Sequence, residues 1–250
     1  MKKLNSSNNT YVFTSTKNFN KIHDFKSESI KLAFDFAYNM SFGGKGKHRN
    51  HRSGGDHKRK NGEIFINAFQ GKLAEFGIFN EFHRNKIEIE VPDLETYELG
   101  KWDKYDFEVN DKKIAVKSTK NYGQLLLLET KDWNSKGEYK PNLSTGNAIY
   151  DYFILVRVSP SGEDIMKKNK MLYSNEIDKF TLEKIITSEL WAYDIPGFIN
   201  NKELVYAIEN RFILPKWGQL GAKTKMDAEN YYIQTGDMHD INEIFKLIKN

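Results

Sequence analysis

The sequence predicts an α/β protein with a mixed central β-sheet flanked by helices, and three stretches carry that prediction. Residues 62–84 place Phe65, Phe69, Leu73, Phe76, Phe79 and Phe82 at helical spacing, an apolar stripe of the kind that covers a core. Residues 105–109 alternate apolar and acidic side chains, the period of a half-buried strand. Residues 114–117 alternate again after the turn pair Asn110-Asp111. Residues 148–158 are almost continuously apolar, as a central strand covered on both faces should be.

The 250 residues are enough for one large domain or for a core with an appended lobe. Apolar residues make up 39% and aromatics 14%, which argues for a folded chain rather than a disordered one. There is no cysteine, which excludes disulfides, thiolate zinc sites and a cysteine nucleophile, and fits a reducing compartment. No apolar run approaches a membrane span, and the first residues lack the apolar segment of a signal peptide. A soluble cytoplasmic protein with no membrane partner is therefore expected. A net charge of +4 permits a polyanionic partner without requiring one, so the clustering of charge matters more than its sum.

In chain order, residues 1–25 are polar, rich in Asn, Lys and Ser, and predict a flexible start with one short edge strand at Tyr11-Val12-Phe13. Residues 27–40 predict a core-packing helix, with Ser27 or Ser29 as cap and Ile30, Leu32, Ala33, Phe36, Ala37 and Met40 at helical spacing. Residues 41–60 follow as a glycine-divided basic loop. Lys45, Lys47, His48, Arg49, Arg52, Lys58 and Arg59 there suit phosphate contact, and Arg49 and Arg52 could also read guanine edges. His48, His51 and His57 match no usual zinc-ligand spacing.

In the helix at 62–84, Gly71, Ala74 and Gly77 are small enough to allow close packing. Glu75 lies beside the apolar stripe, where an acid is costly unless paired or bound to a cation. Lys72 reads as a phosphate contact or a surface lysine. Ile87, Ile89 and Val91 suggest a short strand, with Pro92-Asp93 as a turn. The hairpin of residues 105–117 follows, with Tyr105, Phe107, Val109, Ile114 and Val116 toward one core. That arrangement leaves Asp106 and Lys117 near each other on the opposite face. Residues 124–130 form a further strand.

Beyond residue 160 the pattern is weaker. An edge strand is expected at 170–173 and helices at 176–190, 202–210 and 240–249. The stretch 191–201 reads as a loop because of Pro196-Gly197. The whole divides into a flexible segment (1–25), a core (26–160), and an elaboration of the same domain (161–250) that carries dimer or DNA contacts.

A carboxylate beside a lysine on adjacent strands suits phosphodiester cleavage. Carboxylates hold hard divalent cations, a bound metal lowers the pKa of water, and a lysine positions that water or offsets charge in the transition state. In this the hairpin resembles the PD-(D/E)XK nuclease superfamily, to which many restriction endonucleases belong. Its pattern is an Asp beginning one strand and an acid-x-Lys triplet on the next. Asp106 matches the first position and Lys117 the lysine, but the middle acid is replaced by Ala115. Three explanations stand open: an acid-to-alanine change that inactivates an enzyme, a naturally inactive chain, or another carboxylate in its place. A literal Glu-x-Lys occurs at Glu129-Thr130-Lys131, at the far end of an apolar run. The segment Gln70 to Phe76 resembles the helix that supplies a further glutamate in these families, here Glu75.

The resemblance covers about residues 40–160 and implies a restriction-endonuclease-like core. It implies Mg²⁺ held by Asp106, the acid missing at position 115 and Glu75, with Lys117 orienting the attacking water and the basic loop gripping double-stranded DNA. It implies a type II restriction enzyme with no organic cofactor, and a palindromic target would imply a homodimer. Two readings of other kinds remain beside it: a catalytically dead, sequence-specific DNA-binding protein, and an RNA-processing nuclease.

Overall fold

The computed structural model describes residues 1–43, 59–95, 105–222 and 224–249. The first strands are β1 (Asn5–Ser7), β2 (Thr10–Val12) and β3 (His23–Asp24), followed by helices α1 (Ser27–Ser41) and α2 (Asn61–Arg84). Then come β4 (Phe107–Val109), β5 (Lys112–Lys120), β6 (Leu125–Glu129) and β7 (Tyr152–Ser159). Helices α3 (Gly162–Lys168) and α4 (Lys179–Thr187) precede β8 (Ala192–Asn200), and α5 (Asn201–Glu209) follows it. Short strands β9 (Ile213–Leu214), β10 (Gln219–Leu220), β11 (Thr224–Lys225) and β12 (Asn230–Gln234) lead to α6 (Ile241–Lys249).

The central sheet has the order β3-β8-β7-β5-β4. Strand β5 is antiparallel to β4 and parallel to β7, and β7 is antiparallel to β8, so the sheet is mixed. Side-chain alternation sorts each strand between two cores. Phe107, Val109, Ile114, Val116, Ile154 and Val156 meet Phe34, Phe65, Phe69, Leu73 and Phe245 of the helices. Ala115, Phe153 and Leu155 face the other way, against Leu126, Leu128, Tyr232 and Ile233 of a second sheet ordered β6-β12-β9, and against Leu204 of α5. Burying each of these large apolar side chains stabilises the fold by about 1.5–3 kcal/mol before conformational entropy is subtracted.

Several expectations needed correction. Residues 1–25 are tied down rather than loose. Strands β1, β2, β10 and β11 form a third sheet, Arg157 donates to the Lys17 and Asn18 carbonyls at 2.8 Å each, and Gln234 accepts the Thr14 N–H at 2.7 Å. The stretch 87–91 forms no strand, and 170–173 is a turn region. The largest departure is β8, which reads in the sequence as a loop. It is a buried strand in the central sheet, and its Pro and Gly sit at a bulge between the Leu155 and Arg157 registers. Gly197 has φ +150°, and a Cβ there would come within 2.2 Å of the His239 carbonyl, so only glycine fits. Asp194 of the same strand pairs with the fully buried Arg157.

Candidate functional site

The hairpin of β4 and β5 closes on Asn110 and Asp111, both at positive φ (48° and 60°), as a two-residue hairpin turn requires. Its register pairs Phe107 with Ile114 and Val109 with Lys112. Continued by one residue, that register sets Asp106 opposite Ala115, and Lys117 follows two positions along the same face. Asp106, Ala115 and Lys117 line one cavity of about 160 Å³, walled by Tyr105, Trp133, Tyr139 and Tyr150. Ala115 is only 2% exposed.

The ladder stops at Phe107. Beyond it the Asp106 carboxylate takes the next backbone donor, with Oδ2 accepting the Val116 N–H at 2.6 Å. This ending also turns Tyr105 aside. Its ring leaves the helical core expected for it and packs with the second cluster. A hydrogen bond to Glu108, with burial, raises the Tyr105 hydroxyl above its usual pKa. Among the described residues Lys117 makes no hydrogen bond or ion pair, and it lines the cavity beside Asp106. The Trp133 ring lies 5.2 Å from both Tyr139 and Phe153, which fixes the apolar wall.

This donor set does not fit a divalent cation. The cavity offers one carboxylate, already engaged by a backbone N–H, and a methyl group where a second acid would stand. Among the described residues no three His, Cys, Asp or Glu side chains converge on a point that could hold a metal.

No family model, curated protein or solved structure matches the chain.

The other acids expected at the site lie elsewhere. Glu75 sits on α2, the helix that covers the opposite face of the sheet, and does not line the cavity. Its Oε2 is 2.7 Å from Lys72 Nζ. Lys72 is neither a surface lysine nor available to phosphate. It is 6% exposed, donates to the Asp93 carbonyl at 2.6 Å, and lies 4.6 Å from the centre of the Phe36 ring. The pairing that Glu75 demanded is thus supplied by a lysine three residues earlier. Gly71 has open space around it, so close packing of the helix comes at Ala74 and at Gly77, which lies against Tyr193. Glu129 closes β6 beside Asn230 in the second sheet, 3.7 Å from Lys131, and neither residue joins Asp106.

Of the basic residues assigned to DNA contact, Lys45, Lys47, His48, Arg49, Arg52 and Lys58 lie outside the described residues, as do His51 and His57. Arg59 is described. It borders a polar cleft of about 320 Å³ with Asn67, Gln70, Ser118, Thr119, Lys120 and Glu163, and an adjoining one of about 280 Å³ that reaches Tyr173 and Lys225. Among the described residues no helix is long and apolar enough to cross a membrane.

Sequence reasoning missed the aromatic wall and this second cleft. The polar run Ser118-Thr119-Lys120 at the end of a strand was a signal for the cleft. Nothing in the sequence places Glu163, or Trp133 and Tyr150, beside their partners.

Proposed function

We propose that the chain is a nuclease-type protein directed at double-stranded DNA, with its hydrolytic centre at Asp106, position 115 and Lys117. With alanine at 115 it binds DNA and does not cut. The observation that carries this reading is the meeting of Asp106, Ala115 and Lys117 on one face of one hairpin, in one cavity. The uncommitted Lys117 ammonium is a partner for a phosphate oxygen, and the aromatic wall lowers the local dielectric and so strengthens that attraction. A helix, an Asp strand, a Lys strand and a buried strand follow in the order of a restriction-endonuclease-like core, which supports that fold assignment. A carboxylate at 115 would give Mg²⁺ the second acid it lacks. The parent activity is then that of a type II restriction endonuclease, acting as a homodimer on a palindromic site.

The test is cleavage of plasmid and phage DNA with Mg²⁺ by this chain and by its Ala115→Asp and Ala115→Glu variants, with gel-shift titration of duplex DNA and RNA alongside. Discrete fragments from either variant, and none from the parent, support the reading. If no variant cuts and duplex DNA is not retained, the reading fails. Cleavage by the unaltered chain would move the acid elsewhere, with Glu129 the first to replace.

A further inference from the structure

The cleft at the end of β5 is lined by amides and hydroxyls as well as by charged groups. Gln70 is 7% exposed, yet among the described residues its side-chain amide has no hydrogen-bond partner. Its amide atoms are not sealed off but open onto the cleft, where they present donors and an acceptor to whatever enters. The side chains of Asn67, Ser118 and Thr119 line the same space and are likewise uncommitted. Gly162 packs tightly behind Ile66 and Gln70. A Cβ there would come within 2.4 Å of Ile66 and 2.9 Å of Gln70 Oε1.

We propose that this cleft binds a nucleotide, with the base edge on the amides of Gln70 and Asn67 and the phosphate against Lys120 and Arg59. Each amide offers donors and an acceptor in one plane, the arrangement that matches a base edge presenting both. The Ser118 and Thr119 hydroxyls can serve the phosphate and sugar oxygens. Lys120 is held in place by Glu163, 2.7 Å from its Nζ, and Glu163 also engages Lys167. Across the two adjoining clefts Arg59, Lys120 and Lys225 balance Glu63, Glu163 and Asp227, so attraction for a phosphate is local to Lys120 and Arg59. Tyr173, exposed on the adjoining cleft, presents a ring on which a base can stack. At about 320 Å³ the space is within the range of small-ligand sites. The cleft is separate from the Asp106 cavity, and the inference does not rest on hydrolysis there.

The probes are the four deoxynucleoside 5′-monophosphates, a short single-stranded oligonucleotide, a duplex of the same sequence, and inorganic phosphate as competitor, titrated calorimetrically into the full chain. At least one nucleotide or oligonucleotide should bind. Its affinity should fall about tenfold in Gln70→Leu, the loss of one buried hydrogen bond. It should fall several-fold in Asn67→Ala, an exposed position where the fold is not at risk. Binding of monophosphates identifies a free nucleotide as the ligand, whereas binding of oligonucleotides alone identifies a nucleotide within a strand. The proposal is overturned if no probe binds, if inorganic phosphate competes as well as a nucleotide, or if both variants bind as the parent does. Cleavage by Ala115→Glu reports on the hydrolytic centre separately, so either idea can fail alone.

Discussion

Strand β5 borders two cavities, and they differ in what their side chains already do. Midway along it, Asp106, Ala115 and Lys117 look into a space walled by Tyr105, Trp133, Tyr139 and Tyr150. The one carboxylate there already accepts a backbone N–H, and the position facing it carries a methyl group. At the end of the same strand, Ser118, Thr119 and Lys120 share a space with Gln70 and Asn67, where amides and hydroxyls stand unbonded among the described residues. The first is an aromatic frame around one carboxylate, one methyl group and one lysine. The second is a polar frame whose amides and hydroxyls open onto the cleft. If the two proposals hold, activity is gained at the first by adding a group, and binding is lost at the second by removing one.

The sharpest break of this comparison is a gain of activity. Ala115→Glu or Ala115→Asp should turn a chain that yields no fragments into one that cuts DNA with Mg²⁺. Adding Asp106→Asn or Lys117→Ala to the active variant should lower cleavage by about 10²-fold or more, the scale of removing a group that stabilises developing charge. Retention of cleavage in both double variants would sever the hairpin from the chemistry.

Next in size is the contrast between the two frames. Trp133 is 5% exposed and touches three other rings. Trp133→Ala should cost about 3–5 kcal/mol in urea unfolding. Asn67→Ala at the exposed rim of the second cleft should stay within about 0.5 kcal/mol. Similar losses for both would mean that the aromatic wall is not a structural frame.

The hairpin was legible in the sequence because its signals are local. The turn pair Asn110-Asp111 and the alternation on either side fix a register within residues 105–117, and that register brings Asp106 to Ala115. What could not be read depends on distant pairing. The apolar run of β6 reads as a strand, but only its pairing with β12, with Leu127 opposite Tyr232, shows that it belongs to a second sheet. Strand β8 reads as a loop because a proline and a glycine usually end a strand. Here they make a bulge that Arg157 and Asp194 hold in place. The acid of Glu75 was rightly read as needing a partner. The partner is Lys72, folded back along the same helix, rather than a cation in the site.

A smaller effect separates a vacant acid position from a merely apolar one. Ala115→Glu buries a carboxylate among aromatic rings, and without metal the variant should be less stable than the parent by about 1–3 kcal/mol. A cation bound only by the folded variant recovers stability as its concentration passes the dissociation constant. Millimolar Mg²⁺ should therefore raise the melting temperature of Ala115→Glu and leave that of the parent unchanged. An equal response of both chains would mean that Mg²⁺ acts somewhere other than position 115.

The smallest effect tests the second cavity through its charges. Burial alone would raise the Glu163 pKa, but hydrogen bonds from Lys120 and Lys167 outweigh it and hold the carboxyl below its ordinary value of 4.5. Burial would likewise lower Lys120, and its bond to Glu163 outweighs that, leaving the ammonium above 10.5. A depressed acid contributes stability that is present above its unfolded pKa and lost as pH falls through the folded one. A raised base contributes stability that is present below its unfolded pKa and lost as pH rises through the folded one. The pair therefore stabilises fully between about pH 4.5 and 10.5. Being partly exposed to solvent, it is worth no more than about 1 kcal/mol. Glu163→Gln should remove that contribution at pH 7 and flatten the acid limb of a stability curve measured from pH 7 to pH 3. An unchanged limb would mean that Glu163 gains nothing from its lysines, and Lys120 would then have no fixed place at the cleft.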